Sequence, residues 1–179
     1  MDVYVNKNKK IIEWKVGERI ITIHNEHILY AFKHGKNMLM VKEKYEMSES
    51  GFSTYDEEGN IIFSYKYLSN SVTLKNSSIN EIDGKIIAVD YEEEKCKLVV
   101  LVEKCEKRTL LLYDENCNFI AEILPPGGYI FVSLKNNDGN IMVEAHGTSD
   151  MTKDEFGRND WNFMIDFDNF YVEKNSITQ

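Results

Sequence analysis

The sequence predicts an all-β chain of repeated four-stranded antiparallel meanders, and three observations predict it. First, a pair of apolar segments joined by a short acidic or Asn-rich turn recurs four times, at residues 3–14, 53–65, 111–122 and 164–172. Taking Ile11, Ile61, Phe119 and Phe170 as equivalent, successive copies lie 50, 58 and 51 residues apart, a period expected of multi-stranded repeat units. Second, the chain carries 9 Phe, 10 Tyr and 2 Trp against 2 Pro, and its apolar runs are rich in Val and Ile, which suit a pleated, half-buried surface. Third, helical periodicity is weak. The stretch 40–50 lacks a convincing cap and reads as a strand followed by a polar turn.

In chain order, the reading is one domain over 1–179: a hairpin at 1–17 and then units near 18–69, 70–125 and 126–179. Within the units, segment 27–32 precedes 37–42, 85–90 precedes 97–102, and 129–134 precedes 140–144, so each unit reads as four short strands. Asp83-Gly84, Asn137-Asp138-Gly139 and Glu58-Gly59-Asn60 supply the positive φ that tight hairpins require. The near-continuous apolar runs Leu98 to Val102 and Ile86 to Val89 read as strands covered on both faces, whereas Phe52 to Tyr55 and Ile61 to Tyr65 alternate more.

Stacked four-stranded sheets of this kind resemble β-propeller blades. The run from Val3 through Asn6, Ile11 and Trp14 to Lys15 looks like the outer strands of quinoprotein-type or WD40-type blade repeats, where an Asp or Asn turn is followed by Gly and an apolar strand ending in Trp. Lys9 stands where that pattern has Gly in the first copy and Cys117 in the third, and only the first copy ends in Trp. The resemblance implies a propeller-like fold of about three and a half blades and no activity. It places no residues for a quinone. A closed ring needs four or more blades, so it also implies a partial array or one completed by oligomerisation.

At 179 residues and 42% hydrophobic content the chain can bury a core. Thirty acidic against 21 basic side chains give a formal charge of −9, which repels phosphate backbones and anionic lipid, so nucleic acid and membrane are not expected partners. The short basic clusters Lys7 to Lys10 and Lys104 to Arg108 read as solvated strand edges or turns. Early polar and charged residues interrupt any signal-like apolar stretch, and a cytoplasmic protein is expected. Cys96, Cys105 and Cys117 form no Cys-x-x-Cys pair and fit a reducing compartment. Cys96 and Cys105, bracketing an apolar strand, are expected to be partly buried, and Cys117 to be the accessible thiol.

Two patterns invite a metal reading. Asp114 to Asn118 and Asp56 to Asn60 offer oxygen atoms at alternate positions, but a helix-flanked calcium loop needs Gly at its sixth position and Glu at its twelfth, where this chain has Phe119 and Pro125, or Ile61 and Tyr67. The alternative is a hairpin turn whose Asp and Asn accept backbone N–H groups. His24 and His27 have a spacing seen in metal sites, yet in extended chain they face opposite ways and a surface hairpin is the competing reading; His34 and His146 bring no third ligand. No cofactor is expected. A Gly-x-Ser-x-Gly elbow and a phosphate-cradling Gly loop are both absent, and Pro125 to Gly128 reads as a stiff turn.

One segment breaks the repeat. From His146 to Asp160 runs a polar insertion of roughly 15 residues, and long loops on β scaffolds carry binding function. It gathers His146, Asp150, Asp154, Glu155 and Arg158 beside Trp161, a set suited to a polar ligand or a partner protein; a bare surface loop is the competing reading. The expected function is a non-catalytic binding module whose partner is another protein or its own copy, as a homodimer, one version being a small acidic immunity-type protein that masks a basic toxin. The alternative is a propeller-type enzyme or small-ligand binder with His146, Asp150 and Arg158 at its site.

Overall fold

The computed structural model describes residues 2–45 and 49–178, and divides into two compact units, 1–81 and 82–179. Its regular structure is antiparallel β throughout; the one helical element among the described residues is a short 3₁₀ turn at Asp150–Thr152.

The first unit holds two sheets. The first is three-stranded, β1 (Val3–Asn6), β2 (Ile11–Val16) and β3 (Arg19–His24), and the second is six-stranded, β4 (Ile28–His34), β5 (Met38–Lys44), β6 (Ser50–Tyr55), β7 (Ile61–Lys66), β8 (Val72–Leu74) and β9 (Ser78–Ile79), each in sequence order. Ile12 and Trp14 of β2 are buried against Leu39 and Val41 of β5 and Tyr55 of β6, with Ile21 and Ile23 of β3 packed at the margin. These inward residues sit at alternate positions, as the period of two along a strand requires.

The second unit holds two four-stranded sheets. One runs β10 (Lys85–Glu92), β11 (Lys97–Lys104), β12 (Lys107–Asp114) and β13 (Phe119–Ile123); the other runs β14 (Tyr129–Asn137), β15 (Asn140–Gly147), β16 (Asp160–Asp166) and β17 (Tyr171–Ile177). Val99, Leu101, Leu110, Leu112 and Ile123 face Phe131, Ile141, Val143, Ala145, Phe163 and Ile165 in one core. Leu98 to Val102 is buried on both faces, as its unbroken apolar run predicts.

The three larger sheets repeat in detail. Each begins with a bulge, between Ile28 and Tyr30, Ile86 and Ala88, and Phe131 and Ser133, which bends the first strand at the same place. The first sheet lacks this bulge and differs in phase from the sequence reading. The 50-residue spacing treats its Asn6 turn as equivalent to the Asp56, Asp114 and Asp166 turns, which join the third and fourth strands of three sheets. Instead, β1 lies beside β4 and β2 packs on β5, so the Asn6 turn joins the two leading strands. Boundaries shift accordingly: Arg19–His24 joins the first sheet through the tight turn at Gly17 (φ 61°), and the second sheet extends to Ile79.

The cysteine expectation is reversed. Cys96 and Cys105 are exposed and Cys117 is partly covered, because the first two lie in the hairpin turns that flank β11 and not in the strand itself. Lys10 pairs with Glu26, Lys104 with Asp83, and Arg108 with Glu103 at 2.9 Å, so these members of the basic clusters meet local carboxylates. The polar turn expected after Met40 lies in part at 46–48, outside the described residues.

Two hairpins have two-residue loops with both residues at positive φ: Asp138-Gly139 (51° and 98°) and Cys105-Glu106 (48° and 63°). This mirror-image turn matches strand twist but favours Asn-Gly or Asp-Gly. Cys105 and Glu106 each carry a Cβ in a region that disfavours it. The double substitution Cys105→Asn/Glu106→Gly is expected to stabilise the protein by about 1 kcal/mol, raising its Tm by about 2–4 °C in a calorimetric scan.

Candidate functional site

The hairpin turns set the pattern from which the candidate site departs. In the turn from Asp56 to Asn60, Asp56 Oδ1 accepts the amides of Glu58 (2.9 Å) and Asn60 (2.8 Å), and Oδ2 accepts the Asn60 side-chain amide at 3.0 Å. Asp114 does the same with Asn116 (2.9 Å), Asn118 (2.8 Å) and the Asn118 side chain (2.9 Å). Asp166 accepts the amides of Asp168 and Asn169 and the Asn169 side chain. The left-handed position falls on Gly59, Cys117 and Phe170. Where the sequence leaves calcium and a self-bonded turn open, these oxygens meet N–H donors from within the turn.

The 146–161 loop contains the same device. Asp154 Oδ1 accepts the amides of Phe156 (2.9 Å) and Arg158 (2.8 Å), Oδ2 accepts Arg158 Nε (2.8 Å), and Gly157 takes the left-handed position at φ 79°. Asp154 and Arg158 are therefore a turn pair. Glu155 is exposed at its tip. Trp161 looks inward: its Nε1 donates to the Thr152 carbonyl at 2.9 Å, and Lys174 Nζ sits 3.2 Å from its ring centroid.

The rest of the loop is braced from inside. Thr152, buried, has its hydroxyl within hydrogen-bond distance of the Ser149 carbonyl (2.6 Å) and Asn159 Oδ1 (2.7 Å), its single proton serving one or the other, while Asn159 Nδ2 donates to the Gly147 carbonyl. Gly147 N–H reaches the Asn159 carbonyl at 2.9 Å and Thr148 N–H the Gly128 carbonyl at 2.8 Å. Around this brace opens a pocket of about 380 Å³ lined by His146, Gly147, Thr148, Ser149, Asp150, Lys153 and Asn159. Of the six residues singled out in the sequence, His146 and Asp150 reach it; Asp154, Glu155, Arg158 and Trp161 do not line it. Lys153 holds Asp150 Oδ1 at 2.6 Å, and Asp160 Oδ1 holds His146 Nδ1 at 2.7 Å. Ser149, Lys153, Asn159 and the orienting Asp160 escape the sequence reading. The missing signal was register: His146 and Asp160 are direct partners across β15 and β16.

A second polar cluster lies in the first unit. Glu43, buried, accepts from Asn25 (2.6 Å), Ser53 (2.8 Å) and Tyr45 (2.6 Å). Burial, then the hydrogen bond to Glu43, pushes the Tyr45 hydroxyl well above the usual tyrosine range. His27 lies against Tyr45, ring centroids 4.4 Å apart, while His24 faces Glu26 at 3.6 Å. Among the described residues no group of three His, Cys, Asp or Glu is placed to share a metal ion.

No family model matches the chain, and no curated protein matches it. Among solved structures it is similar to a protein assigned provisionally as TolB from Agrobacterium tumefaciens, with a TM-score of 0.50 and 8% identity over 96% of this chain and 78% of that one. TolB is a β-propeller protein, and the likeness together with the four antiparallel sheets defines the fold as all-β and propeller-like. No helix is long and apolar enough to cross a membrane among the described residues.

Two measurements follow. The Asp114 and Asp166 carboxyls are held below the usual range first by the Asn118 and Asn169 side-chain amides; for Asp56 and Asp154, burial pushes upward but the turn hydrogen bonds outweigh it. A carboxyl whose pKa is lowered by folding contributes stability above its unfolded value, lost as pH falls through the folded one. Glu92, raised by burial, acts in the opposite sense. Urea midpoints are expected to hold steady down to about pH 5 and fall below about pH 4, with a shallower acid slope in Asp56→Asn/Asp114→Asn. Separately, a Cβ at Gly147 would collide with Thr152 Oγ1 and Asn159 Oδ1. Gly147→Ala is expected to cost about 1–3 kcal/mol, red-shift Trp161 emission and open 148–158 to proteolysis.

Proposed function

We propose that this chain is a non-catalytic interaction module on a propeller-like β scaffold, with the 146–161 loop as its contact surface and a protein chain as its partner. The observation that carries the reading is the division of labour in that loop. Its polar side chains brace it from within, while Met151 and Phe156 stand 96% and 73% exposed, with Arg158 stacked 5.2 Å from the Phe156 ring. Met, Phe and Arg are the residue types enriched where proteins meet, and a braced loop on a β scaffold presents them with little ordering cost.

The partner is another polypeptide or a second copy that completes the repeat array as a homodimer. The −9 charge favours a basic partner, as an acidic immunity-type protein of the cytoplasm would meet. A second reading, a small-ligand or enzymatic site, draws support from one observation: the His146 ring, oriented by Asp160, lines an open pocket.

Met151→Asp/Phe156→Asp alters only exposed side chains, so a native circular dichroism spectrum is expected. Light scattering across a concentration series and affinity capture on immobilised chain then compare it with the unaltered protein. The expected result is a dimer, or a stoichiometric partner, that the variant weakens by about tenfold or more. An unchanged mass and unchanged capture would remove the loop as the contact surface.

A further inference from the structure

We infer that the free edge of β3 pairs with β3 of a second copy, antiparallel and in register about Thr22, joining two three-stranded sheets into one continuous sheet. This goes beyond the loop reading: it gives self-association a surface of its own and leaves the 146–161 loop to a different polypeptide. The first sheet is one strand short. In each of the three larger sheets the third strand pairs onward with a fourth, whereas β3 pairs with β2 alone. The inward residues show the consequence. Leu110 and Leu112 of β12, and Phe163 and Ile165 of β16, each strand flanked on both sides, are buried, but Ile21 and Ile23 of β3 are only half-buried and Ile20 stands 69% exposed. Elsewhere the last strand of a sheet is guarded: β9 is two residues long, Leu124-Pro125-Pro126 follows β13, and β17 carries Glu173 and Lys174. In β3 there is no proline, no bulge against β2 and no carboxylate, and its middle four residues are β-branched.

Backbone geometry decides which groups the edge offers, and they suit a second copy. Asn25 N–H donates to the Lys10 carbonyl at 2.9 Å, so Lys10 and Asn25 form a hydrogen-bonded pair, and alternation makes Ile12 with Ile23, Trp14 with Ile21 and Val16 with Arg19 the next such pairs. Ile20, Thr22 and His24 therefore turn their N–H and C=O groups away from β2, to the open side. Antiparallel pairing centred on Thr22 sets Ile20 against His24 of the second copy and Thr22 against its own counterpart, so every edge-facing N–H and C=O of both copies is met. Ile21 then lies across from Ile23 of the second copy on the core side, extending the apolar row. Charge is complementary along the same strip. Within the strand no like charges are opposed, since Arg19 comes across from Asn25. At each end, Glu18 and Arg19 of one copy meet the corner that carries Glu26 and its partner Lys10 of the other, two carboxylates with two cations, on a chain whose net charge is −9. A six-residue strand pair is small against the roughly 800 Å² per partner of a standard interface, so a weak dimer is expected.

The test follows the mass of the full chain by sedimentation from about 10 μM to about 1 mM, at low and at high salt. The unaltered chain is expected to pass from monomer towards dimer over this range, and further at high salt, which screens the repulsion between two chains of −9. Thr22→Glu sets two carboxylates face to face beside the two Glu13 side chains, at an exposed position. It should keep a native circular dichroism spectrum and raise the concentration needed for dimer by about tenfold or more. Oxidation reads the register. Thr22→Cys should cross-link to its own counterpart, with Cα atoms about 5.5 Å apart, whereas Ile20→Cys, roughly 13 Å or more from its counterpart, should not. Peptide mapping separates these links from any through Cys96, Cys105 or Cys117. A monomer throughout, a dimer indifferent to Thr22→Glu, or no cross-link at position 22 would overturn the inference. So would amides of Ile20, Thr22 and His24 that gain protection from exchange only when a captured polypeptide is bound, which would assign the edge to that polypeptide. Met151→Asp/Phe156→Asp should leave this dimer intact. If it dissolves the dimer and Thr22→Glu does not, the inference falls and the loop reading stands; a Thr22-dependent dimer with unchanged capture overturns the loop reading alone.

Discussion

A hairpin loop longer than two residues leaves backbone amides that neither strand can satisfy, and the way this chain meets them governs much of what is built around it. One aspartate oxygen takes two amides, its second oxygen takes the asparagine side chain that closes the turn, and the residue next to that asparagine adopts a left-handed backbone. Repeated at Asp56, Asp114 and Asp166, the device fixes where the fourth strand of each larger sheet begins, and so which of its residues turn to the core. In the 146–161 loop the device stands alone at Asp154, with an arginine replacing the closing asparagine. The insertion is thus made of parts already in the scaffold, which explains how a long polar segment can be ordered without a core of its own.

This reuse also shows why the loop's charged residues are a poor guide to its chemistry. Asp154 and Arg158 look like a functional pair in the sequence and are a clasp in the structure, while Trp161 closes the base under Lys174. With these engaged in holding the chain, the outward residues are Met151 and Phe156, and the open polar edge belongs to His146, Ser149 and Asp150. Glu43 in the other unit shows the same principle at greater depth: a buried carboxylate fully met by Asn25, Ser53 and Tyr45.

How much was legible follows from how local each feature is. The Asp56 and Asp114 turns, the Asp138-Gly139 hairpin and the doubly covered strand at Leu98 to Val102 are written within a few residues each, and the all-β repeat could be read from them. The phase of the first sheet could not. The Asn6 turn resembles the others in sequence, and the packing of β1 beside β4 and of Trp14 on Leu39 and Val41 assigns it to the leading pair of strands. His146 was visible as a loop-edge residue, but its partner Asp160 is fourteen positions away and meets it only through the β15–β16 register. The cysteines misled because strand ends and turn positions are separated by a single residue.

The Glu43 cluster bears on the order in which the first unit can assemble. Tyr45 lies two residues from Glu43 in the chain, but the other two donors come from the corner between β3 and β4 and from β6, so neither Asn25 nor Ser53 is supplied by a hairpin of β4 and β5 alone. Until all are in place, a carboxylate in that position keeps its water, and water there keeps the strands apart. Placing the β3–β4 corner and pairing β6 with β5 are therefore coupled through one carboxylate, with Asn25 as the latch between the end of the first sheet and the strand that carries Glu43.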